Sequence, residues 1–398
     1  MDTTAPDSPA TDTPAPDTPA TDTTARGTAD LHGTQIETVV IGAGQAGLAT
    51  GYHLRRLGRP FVILDAAARV GDGWRRQWDT LRLYSPAQVD GLPGLPFPAP
   101  RWTFPGKDQV ADYLEDYARH FDLPVRHGTR VTGLERDGDR YLVTTDRGTI
   151  RCENVVVATG TFGRTPHVPE VAHDLDPGIL QLHSSEYRRP RQLREGPVLV
   201  VGASHSGSDI AFEVAATHPT ILAGRDCGQI PPRLESRAMH VLFPVLLFAW
   251  RHVVTRRTPV GRREMREVRA HGGPMLRVKR ADLAARGVER VTTRIEEARG
   301  GRPVVDGSPR EVATVVWATG FRQVFDWIHL PVIGPDGYPR ELRGVVADAP
   351  GLYFVGLSFQ YAFSSMLLAG VGRDARYVVD HLAARARRRV REGLPAAA

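Results

Sequence analysis

From about Ile36 the chain alternates two patterns. Short runs are apolar at almost every position: TVVI (38–41), FVIL (61–64), NVVVA (154–158), VLVV (198–201), TILA (220–223), TVVWA (314–318) and LYFV (352–355). Runs of this length with no polar face predict strands buried on both sides, the kind found in parallel sheets covered by helices. Between them lie helix-periodic segments. In KDQVADYLEDYARHF (107–121), Val110, Tyr113, Leu114, Tyr117 and Phe121 fall on one face. Residues beyond Pro231 read as helical to about Gly287, and a helix from about Ser364 to Arg389 closes the chain. The fold class is therefore α/β, with parallel sheets.

Two of these strands run into glycine turns followed by helices. The first reads VVIGAGQAGLA, with Gly42, Gly44 and Gly47 in G-x-G-x-x-G spacing. The first glycine permits the tight bend, the second lets backbone N–H groups approach a pyrophosphate, and the third lets helix and strand pack closely. The helix N-terminus adds unpaired N–H groups and a positive dipole end. Asp65 ends the next strand, 23 residues after Gly42, where a carboxylate accepts from ribose hydroxyls.

The second turn reads VLVVGASHSGSDIA. Gly202 and Gly207 keep the first and third roles, while Ser204 stands where the second glycine is expected. Its hydroxyl, with those of Ser206 and Ser208, is a candidate phosphate donor. Arg225 ends the following strand, where an acid would repel a 2′-phosphate and an arginine can grip it. This site reads as one for NADP. The turns lie 160 residues apart, Gly42 to Gly202, as do two ATG segments ending at Gly160 and Gly320. One dinucleotide needs one turn, so the duplication suggests two dinucleotides and two Rossmann-like units.

Composition limits the alternatives. The 398 residues carry a formal charge of +6, but residues 1–33 hold six aspartates and one arginine, so the remainder is distinctly basic. That balance suits anionic cofactors, and no basic run interleaved with aromatics suggests a nucleic acid. The first 33 residues are a low-complexity repeat of Asp, Thr, Pro and Ala with nothing to bury, and are expected to be a solvated tail. No signal peptide is evident, so a cytoplasmic location is expected. Cys152 and Cys227 are far apart, which argues against a redox dithiol or a metal site.

Beyond the tail, the order of VVIGAGQAGLA, VGDGWRRQWDTLRLYSP, LPGLPFP, YLEDYARHFDLPV, VVVATG, LHSSEY, VLVVGASHSGSDIA, TVVWATGF and GLYFVGL resembles the flavin-containing (class B) monooxygenases. The similarity is nearest to their bacterial branch and to plant auxin-forming flavin monooxygenases. It implies FAD on the first turn and NADPH on the second, with the NADP unit inserted into the FAD unit. The implied bounds are 34–165 and 306–398 for the FAD unit with its C-terminal helix, and 166–305 for the NADP unit with a helical insert at 233–287. The resemblance implies FAD contacts at Gly42, Gly44, Gln45, Ala46, Gly47, Asp65, Trp74, Val131, Ala158, Thr159 and Gly160. It implies NADP contacts at Tyr187, Gly202, Ser204, His205, Ser206, Gly207, Arg225, Thr319 and Gly320. Tyr84, His183 and Ser206 are the catalytic candidates. The implied reaction inserts one oxygen atom of O2 into a small organic substrate through a C4a-peroxyflavin.

The family pattern is broken in places. Of the motif F-x-G-x-x-x-H-x-x-x-Y, His183 and Tyr187 survive, but Pro177 and Ile179 occupy the Phe and Gly positions. Tyr84 stands where animal enzymes carry an Asn over the flavin. Leu357 stands where related disulfide reductases have an Asp. Two alternatives stay open: an NADPH:flavin oxidoreductase or oxidase releasing hydrogen peroxide, and a non-catalytic redox-sensing flavoprotein.

The apolar run 241–250 is too short for a membrane span of roughly 20 residues. It is followed by Arg251, Arg256, Arg257, Arg262 and Arg263. A buried helix roofing the substrate pocket is the first expectation, and peripheral contact with an anionic membrane through 240–257 is the second. The sequence is silent on oligomeric state.

Overall fold

A computed structural model describes residues 31–160 and 165–392. The expected tail up to residue 30 lies outside the described residues. The core reaches further toward the N-terminus than the periodicity suggests: Leu31 is buried in it, and its N–H donates to the Arg147 carbonyl.

The first sheet is built from both ends of the chain. Strand β1 (Thr34–Ile41) leads through the first glycine turn into α1 (Gln45–Arg56) and β2 (Phe61–Leu64). A one-turn helix α2 (Asp72–Arg75), helix α3 (Lys107–His120) and β3 (Val125–Arg126) follow. Then β4 (Val131–Asp137), β5 (Arg140–Thr145) and β6 (Gly148–Val157) form an antiparallel meander. The order is β3-β2-β1-β6-β5-β4, with β1 parallel to both β2 and β6. On α3, Val110, Tyr113, Leu114 and Tyr117 are buried and Phe121 packs against them, as the periodicity required.

The intervening chain forms a second sheet. Its elements are β7 (Thr165–Pro166), β8 (Leu180–His183), β9 (Val198–Val201), α4 (His205–Val214) and β10 (Thr220–Ala223). Helices α5 (Arg237–His252), α6 (Pro259–Ala270) and α7 (Arg280–Ala285) come next, then β11 (Glu289–Val291). A small meander of β12 (Ala298–Arg299), β13 (Arg302–Val305) and β14 (Ser308–Pro309) precedes β15 (Thr314–Trp317) and β16 (Phe321–Arg322). The second sheet is parallel, in the order β11-β10-β9-β15-β8. Outgoing β7 and returning β16 pair antiparallel, so the chain leaves and re-enters at one place.

Strand β17 (Leu352–Phe354) then joins the first sheet beside β6, and α8 (Leu368–Arg391) packs along α1. Three expected boundaries move. Residues 314–317, assigned from sequence to the returning part of the first unit, form the strand between β9 and β8 in the second sheet. Its run is as apolar as that of β6, so pattern alone could not choose the sheet. The helical insert is interrupted, because Gly272, Gly273 and Pro274 interpose an irregular stretch between α6 and α7. The last helix begins at Leu368, after a 3₁₀ turn at Phe363–Met366.

Candidate functional site

The same local geometry occurs at the ends of β1 and β9. Gly42 has φ +107° and Gly202 has φ +111°, the left-handed region that favours glycine. A Cβ on Gly42 would lie 2.7 Å from the Ala158 carbonyl oxygen, and one on Gly202 would lie 2.3 Å from that of Ala318. Deeper in the turn, a Cβ on Gly47 would lie 1.8 Å from the Gly42 oxygen, and one on Gly207 would lie 1.7 Å from the Gly202 oxygen. Each glycine turn is thus seated on its own ATG segment, reached through the parallel pairs Ile41–Val157 and Val201–Trp317. Small residues at 158 and 318 let two backbones meet where a helix must start at once.

The middle position of the turn behaves differently. Gly44 is extended (φ −77°, ψ −175°), and a Cβ there meets nothing within 4 Å. Beside the α1 N-terminus this leaves an open cradle for a phosphate. Nearby, the Thr159 hydroxyl is buried with no hydrogen-bond partner among the described residues. Both observations fit a dinucleotide at this turn. Asp65, just after β2, accepts from Ala43 N–H at 2.5 Å and from Ala67 N–H at 2.7 Å, so it braces the turn. Gln45 donates to the Met366 carbonyl at 3.0 Å, tying the start of α1 to the 3₁₀ turn before α8. Ala46 is buried under Gly356, Trp74 is half-buried against the first core, and Val131 is half-buried at the start of β4. Gly160 (φ +78°) and Gly320 (φ +83°) both border open space.

At the second turn, Ser204 is as extended as Gly44 (φ −86°, ψ −165°), which is why a side chain is tolerated. Its hydroxyl donates to the Gly273 carbonyl at 2.8 Å. A Cβ on Gly272 would lie 2.7 Å from that serine, and one on Gly273 would lie 2.6 Å from the His205 ring. The 271–274 stretch therefore lies against the turn, and its paired glycines are what let it come so close. Ser206 is half-buried in the first turn of α4. Arg225 is exposed just past β10, with no carboxylate partner among the described residues.

Two sequence candidates change role. Tyr187 is fully buried in the core of the second sheet, which leaves it no surface to offer a cofactor. His183 is 2% exposed, and both ring nitrogens are engaged. Nδ1 accepts from Ser185 N–H at 3.1 Å and meets Ser185 Oγ at 2.8 Å, while Nε2 lies 3.0 Å from the Gly320 carbonyl. Nδ1 is thus the unprotonated nitrogen, and Nε2–H donates to Gly320. Burial lowers the pKa, keeping the ring neutral. His183 positions the second ATG segment, whose Thr319 hydroxyl donates to the His167 carbonyl.

Tyr84 is where the two units meet. Its hydroxyl donates to Asp209 Oδ2 on α4 at 2.8 Å, and its ring centroid lies 5.4 Å from that of His205. The Arg277 guanidinium lies 5.9 Å from the Tyr84 ring and 5.4 Å from Phe104, held by the Leu83 carbonyl and Glu235. Burial pushes Asp209 up to about 6, against the opposing pull of Tyr84 and Arg277. Burial and the Asp209 charge push the Tyr84 phenol well above its ordinary range. Burial lowers His205 to about 4, so it is neutral near pH 7. Sequence reading missed Asp209 and Arg277. The available signal was the i, i+4 spacing from His205 to Asp209 on one helix face.

The chain is similar to known proteins over most of its length. Residues 39–226 match the pyridine nucleotide-disulphide oxidoreductase family. An uncharacterised CzcO-like oxidoreductase of Geobacillus kaustophilus is 36% identical over 350 residues, covering 87% of this chain and 98% of that protein. A probable indole-3-pyruvate monooxygenase of Arabidopsis thaliana is 28% identical, covering 87% of each chain. The structure of a flavin-containing monooxygenase from Stenotrophomonas maltophilia superposes with a TM-score of 0.69 at 28% identity, over 88% of this chain and 99% of that one.

Proposed function

Since the chain belongs to the CzcO-like oxidoreductase family, we propose that it is an FAD-dependent monooxygenase that draws electrons from NADPH and transfers one oxygen atom of O2 to a small organic substrate. The observation that carries this reading is the duplicated glycine turn. Two strand–turn–helix units of matching geometry, each seated on an ATG segment, stand in separate sheets joined at Tyr84 and Asp209.

The first turn takes FAD. Gly42 and Gly47 shape the bend, the space beside Gly44 receives the pyrophosphate, and Thr159 and Gly160 border the site. The second turn takes NADPH, with Gly202 and Gly207 in the same roles, and the exposed Arg225 after β10 is the residue proposed to take the 2′-phosphate. On this reading residues 165–322 are the NADPH unit, inserted between β6 and β17 of the FAD unit. FAD, when bound, supplies two-electron redox and oxygen chemistry.

The chain's own residues supply the surroundings for that chemistry. Tyr84, Phe104 and His205 wall the junction between the units and restrict water there. His205 is neutral and adds no positive charge. Asp209, shifted to about 6, can hold or release a proton near neutral pH, and Tyr84, by donating to Oδ2, keeps the carboxyl oriented. Arg277 limits how far the Asp209 pKa rises.

The test is NADPH-linked oxygen uptake by the FAD-loaded protein. The substrate panel covers amines, sulfides, ketones and indole-3-pyruvate, the compound in the name of the Arabidopsis relative. At least one substrate is expected to raise oxygen uptake while peroxide falls below the NADPH consumed. Stoichiometric peroxide with every substrate would make the protein an oxidase instead.

A further inference from the structure

Helix α5 has two apolar faces. Met239, Phe243 and Leu247 point inward and are buried in a cluster with Phe104, Leu234 and Ala369. Val241, Val245 and Phe248 form the opposite stripe, at i, i+4 and i+7, and are 76%, 61% and 61% exposed. Leu242 and Val253 flank the stripe, and Val260 extends it to the start of α6. Six of the eleven exposed large hydrophobic residues of the described chain fall within these twenty positions. A concentration of this kind marks an interaction surface rather than ordinary scatter.

The charges around the stripe have one sign. Residues 236–263 contain six arginines and no acid. Two of the six turn inward: Arg251 donates to the Ala369 carbonyl, and Arg256 pairs with the buried Glu341. The other four, Arg237, Arg257, Arg262 and Arg263, are exposed, as is Arg266 one turn further along α6. None of the five has a carboxylate partner among the described residues. The nearest acids along the chain are Glu235, paired with Arg277, the half-buried Glu264, and the exposed Glu267, 3.0 Å from His271. Both helices pack inward on the 363–366 turn, so their outward sides belong to one surface.

We propose that this surface docks the protein on an anionic lipid bilayer, with Val241, Val245 and Phe248 among the acyl chains and the exposed arginines at the headgroups. An apolar stripe rimmed by cations fits such an interface. A second copy of the chain is a poor occupant, since symmetric pairing would set arginine against arginine. No described helix is long and apolar enough to cross a membrane, so the contact is peripheral. Such docking is independent of which reaction the protein catalyses.

The test is sedimentation of the full-length, FAD-loaded protein with sucrose-loaded vesicles of phosphatidylcholine alone or with 30% phosphatidylglycerol added. Wild type is expected to pellet with the anionic vesicles and to release at high salt. Replacing Arg257, Arg262 and Arg263 by Gln should weaken partitioning more than about tenfold, because each basic residue near an anionic surface is worth roughly fivefold. Val245→Glu with Phe248→Glu should abolish it while flavin content and thermal midpoint stay unchanged, since both side chains lie in solvent. Wild type left in the supernatant with anionic vesicles would overturn the proposal. So would vesicle binding that survives both sets of substitutions. Self-association without vesicle binding, lost in Val245→Glu/Phe248→Glu, would assign the stripe to a second copy.

Discussion

The Tyr84 hydroxyl donates to Asp209 Oδ2 over 2.8 Å, linking residues 125 positions apart that belong to different sheets' units. This bond holds a titratable carboxylate in the junction that the proposed function assigns to the site. Tyr84→Phe leaves a buried carboxylate without that donor, a loss of about 1–3 kcal/mol. The thermal midpoint should fall, and turnover should fall with it, because Asp209 is no longer held in one orientation. A turnover equal to wild type across pH 6–8 would remove Tyr84 from the site.

The Asp209 pKa of about 6 lies above its value in an unfolded chain, about 3.9. The folded state therefore binds the extra proton. The associated stability is fully present below about pH 3.9 and is lost as pH rises through about 6. Asp209→Asn cannot titrate, so its stability relative to wild type should climb between pH 4 and pH 7. Thermal midpoints of both proteins across that range provide the check, and a constant difference would contradict the assignment.

His205 has the opposite sign. Its folded pKa of about 4 lies below the unfolded value of about 6.5. The stability it confers is present above about pH 6.5 and is lost as pH falls through about 4. His205→Gln should flatten the acid side of the stability curve over that window. An unchanged acid limb would mean that the ring takes up a proton in the fold.

The glycines of the first turn separate folding from binding. A Cβ at Gly47 would overlap the Gly42 carbonyl, so Gly47→Ala should yield little folded protein. A Cβ at Gly44 meets open space, so Gly44→Val should fold yet fill the cradle and purify without flavin. Folded Gly44→Val carrying a full complement of FAD would show that the cofactor lies elsewhere.

These contrasts show what a linear reading can and cannot reach. Both turns, their strands and the helix over 107–120 were legible, because each is a local pattern with a local cause. The Tyr84–Asp209 pair was not, since it depends on how two units dock. The covering of Ser204 by Gly272 and Gly273 was hidden for the same reason. Tyr187 resembled a ligand contact by motif position, and only burial reassigned it to packing. β15 resembled β6 so closely that pattern could not choose between the sheets.

Arg225 tests the choice of nucleotide. One charge-assisted contact is worth about 1.5–3 kcal/mol, so Arg225→Ala should raise the KM for NADPH by roughly 10–150-fold. NADH, which lacks the phosphate, should be much less affected, and flavin content should not change. An unaltered NADPH/NADH preference would make Arg225 a plain surface residue.

The central claim is that one chain holds two dinucleotides on its two turns and passes electrons from one to the other. Anaerobic mixing of the FAD-loaded protein with NADPH tests this without knowledge of the substrate. Absorbance near 450 nm should bleach with saturating dependence on NADPH, more readily than with NADH, and the bleaching should weaken in Arg225→Ala. A flavin that stays oxidised under NADPH, or that bleaches equally with NADH and in Arg225→Ala, would contradict the account.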